Sequence, residues 1–408
     1  MEKFKTFIAE QKNTHMEHLE DMIFNDGVDG ARMAINSLQN LRDMLAGASK
    51  SKVNVTVKWD GAPAIFAGVD PADGKFFVAK KGIFNKNPKL YKTQKDIDED
   101  LSGELRSKFT IALREFSKLG IRKGVYQGDL MFTKGDVKAS SIQGDKYFTF
   151  QPNTIVYAVP VNSRLGSQIK KAAIGVVWHT TYTGNSISSM KASFGKGIVN
   201  KLKKPTSIWM DDATYRDVSG NATFTADETK EITSMLSQAG KIFNTIDGDV
   251  LRLIRDDDEL KQKIKTFNNT YVRKGEPFPD VDTHVKGLFQ YIMDWYQKEI
   301  DKKKTDKSKQ DWTGKRDRVA TIVFANVNEL KRIFRLMNMI IQAKQMVIDK
   351  MNRASSLGTF LRTNSGFKTT NQEGFVAIDR IGNAVKIVDR LEFSRANFSD
   401  DVLKGWQK

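Results

Sequence analysis

The sequence predicts an α+β protein in which antiparallel sheets follow an N-terminal helical segment and are interrupted by a large helical insertion. Three observations carry that expectation. Apolar and polar residues alternate from Val53 onward, helical spacing holds before that point and again from about 187 to 360, and strand-like sequence returns near the end.

Residues 1–50 form the N-terminal helical segment, since Met16, Leu19, Met22 and Ile23, then Ala34, Leu38, Leu41 and Leu45, recur at helical spacing. Gly27 and Gly30 are expected to break the run. Over 51–186 the period changes to two. VNVTVKWDG reads as a strand, and AIFAGVD with KFFVAKKG, joined across Pro71, Asp73 and Gly74, reads as a hairpin. GVYQGDLMF, YFTFQP, TIVYAVPV and IGVVWHT supply further strands around the helical LSGELRSKFTIALREFSKLG. Residues 187–360 form a basic helical module, in which DKKKTDKSKQDWTGKRDR reads as a solvated linker or loop that contacts nucleic acid only secondarily. Strands return over 361–408 at EGFVAID and NAVKIVDRLEF.

The chain has 408 residues, of which 39% are hydrophobic, enough for two or three domains with a sizeable core. It contains no cysteine, which excludes disulfides, thiolate metal sites and cysteine nucleophiles. The N-terminus is charged throughout and no stretch reaches the ~20 apolar residues of a membrane span, so the expectation is a cytoplasmic protein without a membrane partner. Its 66 Lys and Arg against 49 Asp and Glu leave a formal charge of +17, which favours a polyanionic partner, DNA or RNA first. The oligomeric state is not legible.

The sharpest chemical signal is Lys58-Trp59-Asp60-Gly61 at a strand end, because a lysine nucleophile needs a rigid support and a tight turn behind it. Gly61 supplies the turn. Lysine attacks only when neutral, so partial burial and nearby cations must lower its pKa, with Lys80, Lys81 and Lys386 as candidates that also suit a triphosphate. Two other clusters stand out. His15 and His18, three residues apart among Glu17, Glu20 and Asp21, make either a metal face or, preferably, a helix docked on the core. The segment His179-Thr180-Thr181-Tyr182-Thr183-Gly184 ends an apolar run, and functional and structural readings of it are equally open.

KWDG resembles motif I, KxDG, of the covalent-lysine nucleotidyltransferases, the superfamily of ATP-dependent DNA and RNA ligases and mRNA capping enzymes. VYQGDLMF resembles motif III and TIVYAVPV the aromatic-bearing strand after it, while Glu373-Gly374-Phe375-Val376 resembles motif IV and VKIVDR motif V. The resemblance covers about 53–185 and 361–398. It implies a bilobed core in two sequence pieces that binds ATP with Mg2+ or Mn2+ and acts on nucleic acid. Lys58 would take up AMP, flanked by Val57, Asp60 and Gly61 in the nucleotide pocket. Asp129 and Glu373 would bind ribose or the metal, Tyr157 would stack on adenine, and Lys386 would neutralise phosphates. Residues more than 300 positions apart would then converge on one cleft, roughly within 10 Å.

Three departures from the family pattern matter. Val388 stands where motif V offers a second lysine, which leaves either Arg390 as a substitute or an impaired nick-sealing step. Aspartate replaces glutamate in motif III, and the gap from Asp129 to Glu373 is 244 residues (373 − 129), far longer than a compact core needs. In addition, only 22 residues follow Lys386 (408 − 386), too few for an OB-fold domain. The expectation is therefore an RNA-ligase-like or divergent ligase. The alternatives are a catalytically degenerate nucleic-acid-binding or structural component and nucleotidyl transfer to a protein. The runs THMEHLED, KWDGAPAI, YQGDLMF, HTTYTG and VKIVDR are also similar to those of tailed-bacteriophage proteins, which implies an infected bacterial host.

Overall fold

The computed structural model describes residues 17–47, 53–194, 197–215, 222–353, 358–379 and 384–406. The strands are β1 (Val53–Lys58), β2 (Ala64–Val69), β3 (Phe76–Ala79), β4 (Val125–Thr133), β5 (Lys138–Ile142), β6 (Asp145–Phe150), β7 (Ile155–Pro160), β8 (Ile174–Thr183), β9 (Lys191–Phe194), β10 (Ile208–Asp212), β11 (Gly358–Thr363), β12 (Gly366–Thr369), β13 (Gly374–Asp379) and β14 (Ala384–Ile387). The longer helices are α1 (Gly27–Leu45), α2 (Gln94–Asp100), α3 (Gly103–Phe116), α4 (Arg164–Lys171), α5 (Ala226–Phe243), α6 (Gly248–Asp256), α7 (Asp258–Lys274), α8 (Val281–Asp301), α9 (Asp306–Ala325) and α10 (Val327–Asn352). The fold is α+β.

Three sheets organise the strands, in the orders β1-β13-β14, β10-β8-β4-β2-β3 with β9 on β8, and β12-β11-β7-β6-β5. Pairing is antiparallel within them except between β10 and β8. The first sheet matters most for the site, because β1 is closed by strands that return after the helices. Lys58 pairs with Gly374, and Thr56 with Val376, which in turn pairs with Lys386. Residues in register share a face, so Lys58 and Lys386 stand on the same side of this sheet.

The opposite side carries Val55, Phe375, Ala377, Val385 and Ile387, which join one hydrophobic core with residues of α1, α5, α7, α8 and α10. At ~1.5–3 kcal/mol for each large apolar side chain buried, this contact fixes the small sheet against the helices. Ahead of α1 the chain segment Glu17–Asp21 docks on the edge of β14, where the Lys386 N–H donates to the Glu17 carbonyl at 3.0 Å. His15 lies outside the described residues. His18 is in that docked segment, and burial drops its pKa to about 3, so it is neutral.

Several elements differ from their sequence reading. The helices begin at Ala226, where Thr225 and Glu228 form a reciprocal cap, whereas β9 and β10 extend the six-stranded sheet beyond 187. The basic run 301–318 is not a loop but the end of α8 and most of α9, capped by Thr305, which accepts from the Ser308 N–H. Charge masked the helical spacing of Trp312, Val319 and Val323. Gly27, at φ +58°, does interrupt the chain, but Gly30 lies inside α1, where a Cβ would sit 1.9 Å from the Met22 carbonyl oxygen. That glycine serves close packing.

Candidate active site

Lys58 ends β1, and its amine bonds the Glu373 carboxylate, 315 residues away in sequence. The register explains the meeting, since Glu373 immediately precedes the partner of Lys58. Gly374 is at φ +147°, and a Cβ there would lie 2.6 Å from the Ile387 carbonyl oxygen, so only glycine lets β14 close over this corner. Gly61 has a parallel role. A Cβ on it would come within 2.4 Å of the Asp129 Cβ, so its absence lets the turn after Lys58 rest directly on β4.

Asp129 is thereby held beside the lysine. Burial pushes its carboxyl up to about 7, with the Lys58 charge opposing and Asp60 reinforcing the shift. Burial likewise pushes Glu373 to about 7 against the pull of Lys58. Lys386 is pulled below the usual lysine range by burial first and by the Lys58 charge second, with Glu373 opposing. Two lysines and two carboxyls thus share one electrostatic environment, in which both carboxyls titrate near neutrality.

His179 completes the cluster, and its position has a local cause. Gln127 pairs with Thr180 and Gly128 with Trp178, so His179 is the extra residue of a β-bulge. Bulges re-aim side chains. Here the imidazole Nε2 lies 3.7 Å from Asp129 Oδ2 and Nδ1 lies 2.8 Å from the Thr180 hydroxyl, while burial drops its pKa to about 4. A neutral imidazole beside Asp129 can share a proton with it. The sequence flagged this segment without assigning it, because a bulge depends on register.

The remaining expected residues divide clearly. Asp60 is 3% exposed and accepts from the Asn153 amide at 2.6 Å and from the Thr154 and Ile155 N–H groups at 2.7 Å each, so it pins the Lys58 turn to β7. Tyr157 does not present a free ring for adenine. It is 2% exposed, packs on Trp59 at 5.2 Å and Phe150 at 5.5 Å, and its hydroxyl accepts from the Asp60 N–H. Arg390 does not reach toward a phosphate site either, because its guanidinium bonds Asn269 and pairs with Asp21 at 3.3 Å and Glu20 at 3.5 Å. Lys80 pairs with Asp100 at 2.8 Å, and Lys81 is exposed just after β3. Val57 turns from Lys58 toward the helical core.

Val57, Lys58, Trp59, Tyr157, Thr359 and Gln372 line a small cavity of about 10 Å3, room for roughly one water molecule. Among the described residues no group of three or more His, Asp or Glu is arranged to hold a metal ion. Asp129 and Glu373 could still supply part of an oxygen set for a hard cation that keeps waters and phosphate oxygens as its other ligands. Among the described residues no helix is long and apolar enough to cross a membrane.

Residues 13–401 match a protein family described as a family of unknown function, DUF6267. The chain belongs to DUF6267. No curated protein and no solved structure matches it.

Proposed function

We propose that the protein is an ATP-dependent nucleotidyltransferase of the polynucleotide-ligase type, with Lys58 as the nucleophile. The observation that carries this reading is the contact between Lys58 and Glu373, with Asp129, His179 and Lys386 in the same environment. The ordered resemblance of KWDG, EGFV and VKIVDR to ligase motifs supports it independently.

In the first step the Lys58 amine attacks the α-phosphorus of ATP, and the bond from that phosphorus to the bridging oxygen of the β-phosphate breaks. Pyrophosphate leaves with the electron pair, and AMP stays on Lys58 through a phosphorus–nitrogen bond. The amine must first shed a proton, and Glu373, which titrates near 7 and already bonds the amine, is placed to receive it. Asp129, with the second oxygen of Glu373, would hold Mg2+ or Mn2+, which supplies charge stabilisation at the phosphates. Lys386 adds positive charge from the same face of the sheet. AMP would then pass to a nucleic-acid 5′-phosphate, and a 3′-hydroxyl would seal the junction with release of AMP.

Nucleotide pockets generally need more than ~300 Å3, so ATP entry requires the cavity beside Lys58 to widen. β11 and the stretch before β13 bound it, through Thr359 and Gln372. Tyr157 and Arg390 are committed elsewhere, and these two facts favour a second reading, a nucleic-acid-binding protein without nucleotidyl transfer. Radiolabelled ATP with Mg2+ or Mn2+ separates the two. Label on the wild-type protein and none on Lys58→Ala supports the enzyme, whereas no label across a screen of metals and nucleotides, with retained nucleic-acid binding, selects the second reading.

A further inference from the structure

The ends of α8 and α9 form a helical arm whose sequence is not explained by packing. Over residues 298–318 there are nine Lys and Arg and five Asp and Glu, a net of +4 (9 − 5). In α9 only Val319 and Val323 are buried, so its first half contributes little to the core. Lys302 and Lys303 pair with Glu299, and Arg318 with Asp257 and Glu259, which ties the base of the arm to α7. Lys298, Lys304, Lys307, Lys309 and Lys315 are exposed and, among the described residues, have no carboxylate within 4 Å. Such a cluster repels itself unless anions meet it.

We infer that this arm is a docking surface for the phosphate backbone of a nucleic-acid duplex. The inference rests on the nucleic-acid partner of the proposed function but not on catalysis at Lys58. Lys307 and Lys315 alone are eight residues apart, about 12 Å of helix at ~1.5 Å per residue, a spread wider than one phosphate group and matched by the repeated phosphates of a polymer. Lysine is a point charge that binds phosphate without reading bases, so the contact is independent of sequence. Single strands are held by stacking bases on free aromatic rings. Trp312, the aromatic of this arm, is instead covered by Lys303 at 4.0 Å, Lys315 at 5.0 Å and Trp295 at 6.0 Å, which favours a duplex.

The arm is anchored at the start of α7, away from the residue of that helix that holds Arg390. Asp257, which anchors it, and Asn269, which holds Arg390, are 12 residues apart along one helical stretch (269 − 257), roughly 18 Å at ~1.5 Å per residue.

The test is fluorescence anisotropy of the full chain with a labelled 20-base-pair duplex (a probe length of ~20 base pairs gives ample phosphates) over a range of salt. The variant is Lys304→Ala/Lys307→Ala/Lys309→Ala, with circular dichroism to confirm that the helices persist. Binding should weaken at least tenfold, and the slope of log affinity against log salt should become shallower by about 3, at ~0.9 for each phosphate no longer neutralised. AMP labelling of Lys58 should be unchanged, and its absence from the wild type as well would leave the binding result standing. An unchanged slope, or tighter binding of a single strand than of the duplex, would overturn the inference.

Discussion

Gly61 shows how narrowly the candidate site is set. Alanine there would put a methyl group 2.4 Å from the Asp129 Cβ, so either β4 or the Lys58 turn has to move. Overpacking of this kind costs about 1–3 kcal/mol. Gly61→Ala is expected to lower the melting temperature and to abolish AMP labelling, and a labelled variant would show that Asp129 does not need its present position. Asp129 itself gives a prediction with a sign. Its folded pKa of about 7 lies above the ordinary carboxylate value, so the folded state keeps a proton that the unfolded state releases as pH rises from about 4 to 7. Stability is lost across that window. Asp129→Asn removes the loss, so at pH 8 the variant should be the more stable protein in denaturant melts, by on the order of 4 kcal/mol, while labelling falls sharply. A variant less stable than wild type at pH 8 would contradict the electrostatic account.

At the scale of elements, the docked segment before α1 is coupled to the helices by a buried ion pair. Lys344 of α10 meets both oxygens of Glu20 at 2.8 and 2.9 Å, with each side chain 3% exposed. Removing one partner strands a buried charge, so Glu20→Ala should cost about 3–5 kcal/mol in thermal or denaturant unfolding, and Glu20→Leu/Lys344→Met should recover most of it. If the single variant costs under about 1 kcal/mol, water already reaches the pair. The sequence made the strands legible because alternation from Val53 and at EGFVAID marks half-buried sheets. It also put Lys58 and Glu373 at strand ends, but their meeting was implied only by the resemblance of KWDG and EGFV to the ligase motifs. Register was not legible, so the bulge that turns His179 to Asp129 was left open. Nor was it visible that Asn269 and Asp21 would engage Arg390, or that Trp59 would cover Tyr157, since neighbours from other elements decide both.

Across the whole molecule, two properties are built in different places. The candidate cluster joins one face of the small β1-β13-β14 sheet, which carries Lys58 and Lys386, to Asp129 on β4 and His179 on β8 of the six-stranded sheet, and the other face of the small sheet is welded to the helical core. Unpaired positive charge collects on the α8–α9 arm, on helices rather than on that sheet. The long stretch between β10 and β11 therefore both buttresses the strands that carry Lys58, Glu373 and Lys386 and presents a cationic surface. Separate loss of nucleic-acid binding and of AMP labelling, each from variants in its own region, is the expected pattern.

The most direct measurement of the central claim is intact mass of the purified chain after incubation with ATP and Mg2+, followed by peptide mapping. The account predicts a gain of one AMP, released by acid as expected of a phosphoamide and located on Lys58. The gain should increase as pH climbs through about 7, where Asp129 and Glu373 ionise, and should vanish in Lys58→Ala. AMP found on another residue, or a wild-type chain that gains no mass with any nucleoside triphosphate and divalent cation, would contradict it.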